Sequence, residues 1–473
     1  MTTTASDASS TPDPTTAPPT TTETVQPTRR TATRAAVAAG IGTAIEWYEY
    51  GLYGIVAGLV IAPLFFPEAE GAVGILATFA TFAVGFVARP FGGIILGAAS
   101  DRFGRRPVLV FSLLLVGIAT TGIGLLPPYA AIGIWAPLLL VLLRLAQGFG
   151  AGAELAGAIT IINESATRKH KASYSALAMA GGGIGGITAS LLFTLISATV
   201  TGDAFVEWGW RIPFLLAAVF TVVGLVLRSK MHESPEFEKV QAEREVGEVS
   251  QARRNPFAAM AEAFRASPRN WLAGFLVPSS LNTTGFVVTA FGVSYLAGQL
   301  GLERSQTLVV SLSVTVCMVI ALVFFGRLGD RIGSKRVMWI GIVGGTLFAF
   351  PYVAVLTTAQ IVPIGIASVI MVCLGWSAAS AAHTVVMPAL FKAEYRSSGL
   401  FSSRELQGAL VAGPAPLIAS ALVAASGGSP WLVGVLLVVT HVMTLVGLVL
   451  ARPFLTKDEL DTTPALQGFQ PRD

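Results

Sequence analysis

Residues 97–109 read GAASDRFGRRPVL, and residues 326–338 read GRLGDRIGSKRVM. The two stretches align without a gap, with Asp101 opposite Asp330 at an offset of 229 residues. Each is a polar loop between long apolar runs, so the chain repeats itself around it. Glycine permits a tight turn between antiparallel helices, and an aspartate can pair with basic residues or lie at a helix N-terminus. A loop serving only to orient the chain does not explain why Asp and Gly recur in register. Asp101, Arg102, Gly104, Arg105 and Arg106, with Asp330, Arg331, Gly333 and Arg336, are therefore read as a gate. It locks two halves together and releases them in a rocking switch between two states.

The apolar runs set the fold class. Of 473 residues, 53% are hydrophobic and only 12% charged, against about 25% charged in soluble domains. Runs of about 18 residues or more, long enough to cross a hydrocarbon core, recur along the chain. Their period is helical, whereas a barrel would show short alternating segments. The expected fold is an all-α membrane protein of twelve transmembrane helices in two six-helix halves, a parallel pseudo-repeat. Spans are expected near 35–62, 71–99, 107–126, 132–162, 172–199 and 208–230, then 271–298, 306–328, 336–357, 361–390, 397–425 and 430–452. The halves cover 35–230 and 271–452, joined by a polar linker at 231–270. That linker suits a surface helix, with Pro256 and Pro268 as breakers. Residues 1–34, rich in Thr and Pro, form a disordered tail rather than a signal peptide, and 453–473 a second tail.

A net charge of +4 and a pI near 9.1 would point to nucleic acid in a soluble protein. Here the basic residues collect in alternate loops, after spans two, four, six, eight, ten and twelve, as in loops left in the cytoplasm. The intervening loops are nearly bare, with Arg304 inside one and Arg211 bordering another. Both termini are thus expected in the cytoplasm of a multi-pass cell-membrane protein, and no nucleic-acid partner. Cys317 and Cys373 fall inside apolar spans and are read as buried free thiols.

The motifs GxxxDRxGRR after span two, its weaker copy after span eight, and the six-plus-six layout resemble the major facilitator superfamily. More narrowly, EWYEYGLYG, ARPFGGIILGAASDRFGRRP, RLAQGFGAGAE, HESPEFE, FGVSYLAGQLG and YRSSGLFSSRELQGALVAGPAPLIASAL resemble its metabolite:proton symporters, over residues 35–455. The resemblance implies the major facilitator fold and proton-driven uptake of organic acids, zwitterionic osmolytes or cyclic polyol acids. This chain departs from the pattern at Glu49, usually aspartate, at Gly152-Ala153-Glu154, usually GGE, and at Pro388-Ala389, where an acid is common.

Candidate site residues start in AIEWYEYGLYG (44–54), where Glu46 and Glu49 share one helix face at mid-membrane depth. A charge there costs about 2.5–3.5 kcal/mol and normally faces a cavity or a partner. Neighbouring carboxylates resist being ionised together, so one can hold a proton near neutral pH; the alternative is a fixed structural ion pair. Tyr50 and Tyr53 are read as pocket walls, though they can equally pack between helices. Arg144, in the superfamily's RxxQG pattern with Gln147, is the expected carboxylate partner or anion site. Glu154 is a proton relay or a partner for the span-two arginines. Arg89, shared with the family, serves substrate binding or gating. His383 is by default a neutral buried histidine, with a substrate or proton role as the alternative, and one of Arg404 and Glu405 faces the cavity.

Several chemistries are excluded or discounted. AGGGIGGITAS (180–190) contains a formal GxGxxG, but inside a span such glycines allow close helix packing. No P-loop, HExxH pair or metal cluster occurs, so no cofactor and no metal is expected. The expected partners are a small polar metabolite, protons and the lipid bilayer, with the chain a monomer. The leading reading is a proton-coupled symporter importing an organic acid or zwitterionic osmolyte. The alternatives are a proton-coupled exporter, a membrane-embedded enzyme and a non-transporting sensor. The doubled gate argues against an enzyme.

Overall fold

In hydrocarbon, a lone apolar segment can satisfy all its backbone N–H and C=O groups internally only as a helix. A computed structural model describes residues 29–68, 72–103, 105–152, 168–200, 202–229 and 256–470, and it follows that rule. Among the described residues, eleven helices are long and apolar enough to cross a membrane, and Trp135–Ala151 is a shorter apolar helix at the place of span four. Side chains such as Ile118, Ile320, Leu347 and Val362 are more than 60% exposed, a surface matched to acyl chains rather than water.

The first half holds span one (Arg29–Val56, continued to Phe65), span two (Ala72–Phe103), span three (Arg105–Leu125), span four, span five (Lys171–Thr199) and span six (Phe205–Gly209, then Arg211–Ser229). The second holds span seven (Pro268–Leu276 through Tyr295–Gln299), span eight (Arg304–Ile332), span nine (Ser334–Leu356), span ten (Ile361–Ala389), span eleven (Arg396–Ala425) and span twelve (Trp431–Leu450). Span five packs along span one and, across the halves, along span eight; span two packs along span eleven. The glycines of 180–190 serve this packing. A Cβ on Gly185 would lie 2.0 Å from the Ala44 carbonyl oxygen of span one.

Several spans are not uniform helices. Wide π turns occur at Ala57–Ile61, Val287–Phe291, Cys373–Ala378 and Gly408–Ala412, in spans one, seven, ten and eleven. Those in spans one and seven fall at matching places in the two halves. Single π turns inside α-helices concentrate at functional sites. Between spans eight and nine the chain turns on Gly333 at φ +91°, a conformation that a side chain disfavours.

Boundaries differ from expectation where local chemistry outweighs composition. Span one starts at Arg29, inside the stretch expected to be disordered, because Ala and Arg are strong helix formers. Pro268 breaks the chain between Pro256–Ala266 and the next helix, which it starts, and Pro256 is the first residue of Pro256–Ala266. Cys317 and Cys373 are free but half-buried rather than buried. The second tail is described as far as residue 470. Its short helix Lys457–Thr462 carries a capping box between Thr456 and Glu459.

Candidate functional site

At the centre lies Arg89, and the structure gives its guanidinium three partners. Nη2 meets Glu46 Oε1 at 2.9 Å, Nε donates to Glu405 Oε2 at 3.1 Å, and Nη1 donates to the Tyr50 hydroxyl at 2.9 Å. Glu46 and Tyr50 lie one turn apart on span one, so the arginine meets both on one helix face. Glu405 comes from span eleven, in the other half. All four side chains are at least nine-tenths buried, where charge-assisted bonds are strong and the loss of one partner is costly.

This cluster borders a small central cavity of about 40 Å³, lined also by Trp47, Phe86, Asn282, Phe286, Arg404 and Gln407. Ligand pockets run to about 300–1,000 Å³, so the halves must part to admit a metabolite. The walls are aromatic: Trp47 stacks on Phe286 at 6.3 Å and meets Trp376 edge-on at 6.1 Å. The donors left without a partner are on the second half. Asn282 Nδ2 donates to Gln407 Oε1 at 2.7 Å, while Gln407 Nε2 and Arg404 Nη1 are buried without a hydrogen-bond partner.

Arg144, expected as partner of the span-one glutamates, interacts electrostatically with Glu49 but makes no described ion pair with Glu46. The described ion pairs put Glu46 on Arg89 instead. Arg144 is fully buried, donates to Gln147 and to the Phe82 carbonyl at 3.1 Å, and lies over the Tyr53 ring at 4.3 Å. Gln147 passes the connection to Thr120, and Tyr53 hydrogen-bonds Thr81. The reason is close packing of spans two and four. A Cβ on Gly148 would lie 1.8 Å from the Gly85 carbonyl oxygen, so the arginine reaches span-two carbonyls before it reaches the cavity. Arg144, Gln147, Tyr53 and Glu49 are outside the cavity lining. His383 is buried on span ten with Nε2 unpartnered, also outside the lining, and Glu154 lies outside the described residues.

The gate motif is seen on its second copy. Asp330, at the end of span eight, accepts from the backbone N–H of Ala172 at 2.8 Å and Ser173 at 3.1 Å, and from the Ser173 hydroxyl. These are the first-turn amides of span five, so an aspartate of the second half caps a helix of the first. Arg331 and Arg336 are exposed. Gly104 and the side chains of Asp101, Arg102, Arg105 and Arg106 lie outside the described residues. Replacing Asp330 by Asn leaves one acceptor and no charge. Asp330→Asn is expected to speed hydrogen exchange of the Ala172 and Ser173 amides about tenfold, the loss of one charge-assisted bond; unchanged exchange would show that the cap does not hold the halves.

Residues 41–399 match the profile of the Major Facilitator Superfamily. The chain belongs to the major facilitator superfamily. It is 37% identical over 398 residues to the shikimate transporter of Escherichia coli (strain K12), covering 84% of this chain and 89% of that one. It is 30% identical over 393 residues to the proline/betaine transporter of Salmonella typhimurium (strain LT2), covering 83% and 78%. Among solved structures, the proton:xylose symporter of the superfamily bound to 6-bromo-6-deoxy-D-glucose superposes with a TM-score of 0.68 at 17% identity, over 89% of this chain and 95% of that one. An inward-open xylose transporter from Escherichia coli gives 0.63 at 17%, over 88% and 95%. The fold is thus the twelve-helix major facilitator fold, and the chain is a multi-pass membrane transporter rather than an enzyme. The sequence reading missed Phe86, Asn282, Phe286 and Gln407 of the cavity lining. For Asn282 a signal existed, since an amide amid SSLNTTGF in an apolar span is costly unless it serves a partner.

Proposed function

We propose that this transporter imports a small carboxylate-bearing metabolite together with a proton by alternating access, its Asp330 face in the cytoplasm. The observation that carries the reading is Arg89 held between a glutamate of each half. Glu46 and Arg89 belong to one half and travel together. Glu405 belongs to the other, so rocking the halves apart draws it off its cation. A lone anion in hydrocarbon is costly, and a proton removes the charge. Glu405 is therefore the proton site, in place of the span-one glutamates expected from sequence. The substrate carboxylate is received by Arg404 Nη1 and Gln407 Nε2, the two unpartnered donors at the cavity, with the Trp47–Phe286 wall against its carbon skeleton.

Charge counting supports the coupling. Among the described residues, the centre holds three buried glutamates (Glu46, Glu49, Glu405), two buried arginines (Arg89, Arg144) and the half-buried Arg404. That set is neutral when all are ionised. A substrate anion brings one negative charge into a medium of low dielectric, and one proton restores balance.

The test is purified protein in liposomes with a lumenal pH reporter and clamped voltage, given shikimate, proline or betaine. Shikimate-dependent proton entry at one proton per anion is the expected result. Protons leaving as the substrate enters would mean exchange and overturn symport, and solute counterflow without proton movement would remove the proton from the mechanism.

A further inference from the structure

The carboxy-terminal segment does more than end the chain. After span twelve, Asn270 holds the backbone of Arg452 through its N–H at 2.9 Å and its carbonyl at 2.7 Å, and also binds the Leu390 carbonyl. Phe454 N–H donates to the Ala389 carbonyl at 2.7 Å. These contacts anchor the segment on the second half. The helix Lys457–Thr462 then crosses to the first half, where Arg168, just before span five, donates to Asp458 and Thr462 at 2.8 Å each. The segment finally returns, with Lys335 Nζ donating to the Gly468 carbonyl at 3.0 Å.

Between these anchors the segment is seated by apolar burial. Leu455, Ala465 and Leu466 are at most 3% exposed and form one cluster with Ala172 of span five and Val385 of span ten. Ala172 is also the residue whose N–H Asp330 caps. The apolar seat and the cap thus meet on one residue, at the place where the two halves touch. Exposed ion pairs contribute little, so the hold comes from the buried leucines rather than from Arg168 and Asp458, which are 44% and 70% exposed.

We propose that residues 453–469 are a strap that latches the two halves across the Asp330 face. Opening on this face pulls Ala172 away from Val385 and must first unseat Leu466. The strap is a third element of the closed state, beside the Asp330 cap and the span-five to span-eight packing. It does not depend on which solute is carried or on proton coupling.

The experiment is hydrogen exchange of the full-length chain in lipid nanodiscs, without substrate. Leu466→Asp puts a charge into the apolar seat. Exchange is expected to rise at least tenfold, the effect of about 1.4 kcal/mol, both in 457–466 and at the amides of Ala172 and Ser173, while Trp431–Leu450 stays protected and Leu466→Met behaves as wild type. Faster exchange in 457–466 with Ala172 and Ser173 unchanged would overturn the latch, leaving a passive coat on the second half. Should Leu466→Asp fail to fold, Leu466→Ala is read at the same amides. There a rise of about tenfold or more is expected from the loss of a buried leucine, and no rise at Ala172 and Ser173 would equally overturn it.

Discussion

Arg89→Lys should lower net uptake at least about 100-fold while the protein still inserts and folds. The guanidinium makes three bonds in three directions, through Nη2 to Glu46, Nε to Glu405 and Nη1 to Tyr50. An ammonium is a single point of charge on a flexible stem and does not reproduce that planar fork. It satisfies one carboxylate and leaves the other buried beside no cation, a loss of about 3–5 kcal/mol. Part of this will show as a lower melting temperature in detergent, part as lost transport. Measuring both separates the two, and uptake within about threefold of wild type, less than one kcal/mol, would mean that Arg89 is not at the centre of the cycle.

Glu405→Gln should separate substrate movement from proton movement. The amide is isosteric, keeps an oxygen for Arg89 Nε and carries no titratable proton. Counterflow of labelled substrate between equal pools should persist within about fivefold of wild type, the range for one neutral bond exchanged for a charged one. Accumulation driven by a pH gradient should vanish. Glu46→Gln, on the same half as Arg89, should weaken both to a similar degree. If instead Glu46→Gln alone abolishes gradient-driven uptake, the proton travels with the first half and the assignment of Glu405 falls.

How much of this was legible in the sequence depends on the range of the interaction. Membrane spans follow from local hydropathy, and the doubling from motifs that need no partner to be seen. The Arg89–Glu46 pair lay within reach of the same arithmetic. Glu46 is twelve residues past Arg34 and Arg89 twelve before Asp101. At 1.5 Å per residue both sit about 18 Å from the same face. Equal depth, rather than the superfamily pattern that favoured Arg144, was the better guide to a partner. Glu405 was not reachable this way, because depth says nothing about which of the twelve spans face one another across the centre. Nor was the seat of the second tail visible. PALQGF reads only as part of a tail until Leu466 is seen against Ala172 and Val385.

Under the proposed symport, the balance of three arginines against three glutamates among the described residues has an energetic consequence for the cell. A centre that is neutral when empty, and neutral again with one anion and one proton aboard, moves no net charge as it reorients. The membrane potential, which does about 2.3 kcal/mol of work per charge per 100 mV, then does none on the loaded carrier. Accumulation of a monoanion is set by the pH difference alone, about tenfold for each unit. A zwitterion carried with the same proton would move a positive charge inward and draw on the voltage as well. If the proposed symport holds, the current recorded during uptake reports the charge of the solute, and a cell that let its potential collapse while keeping its pH gradient would still take up acids through this protein.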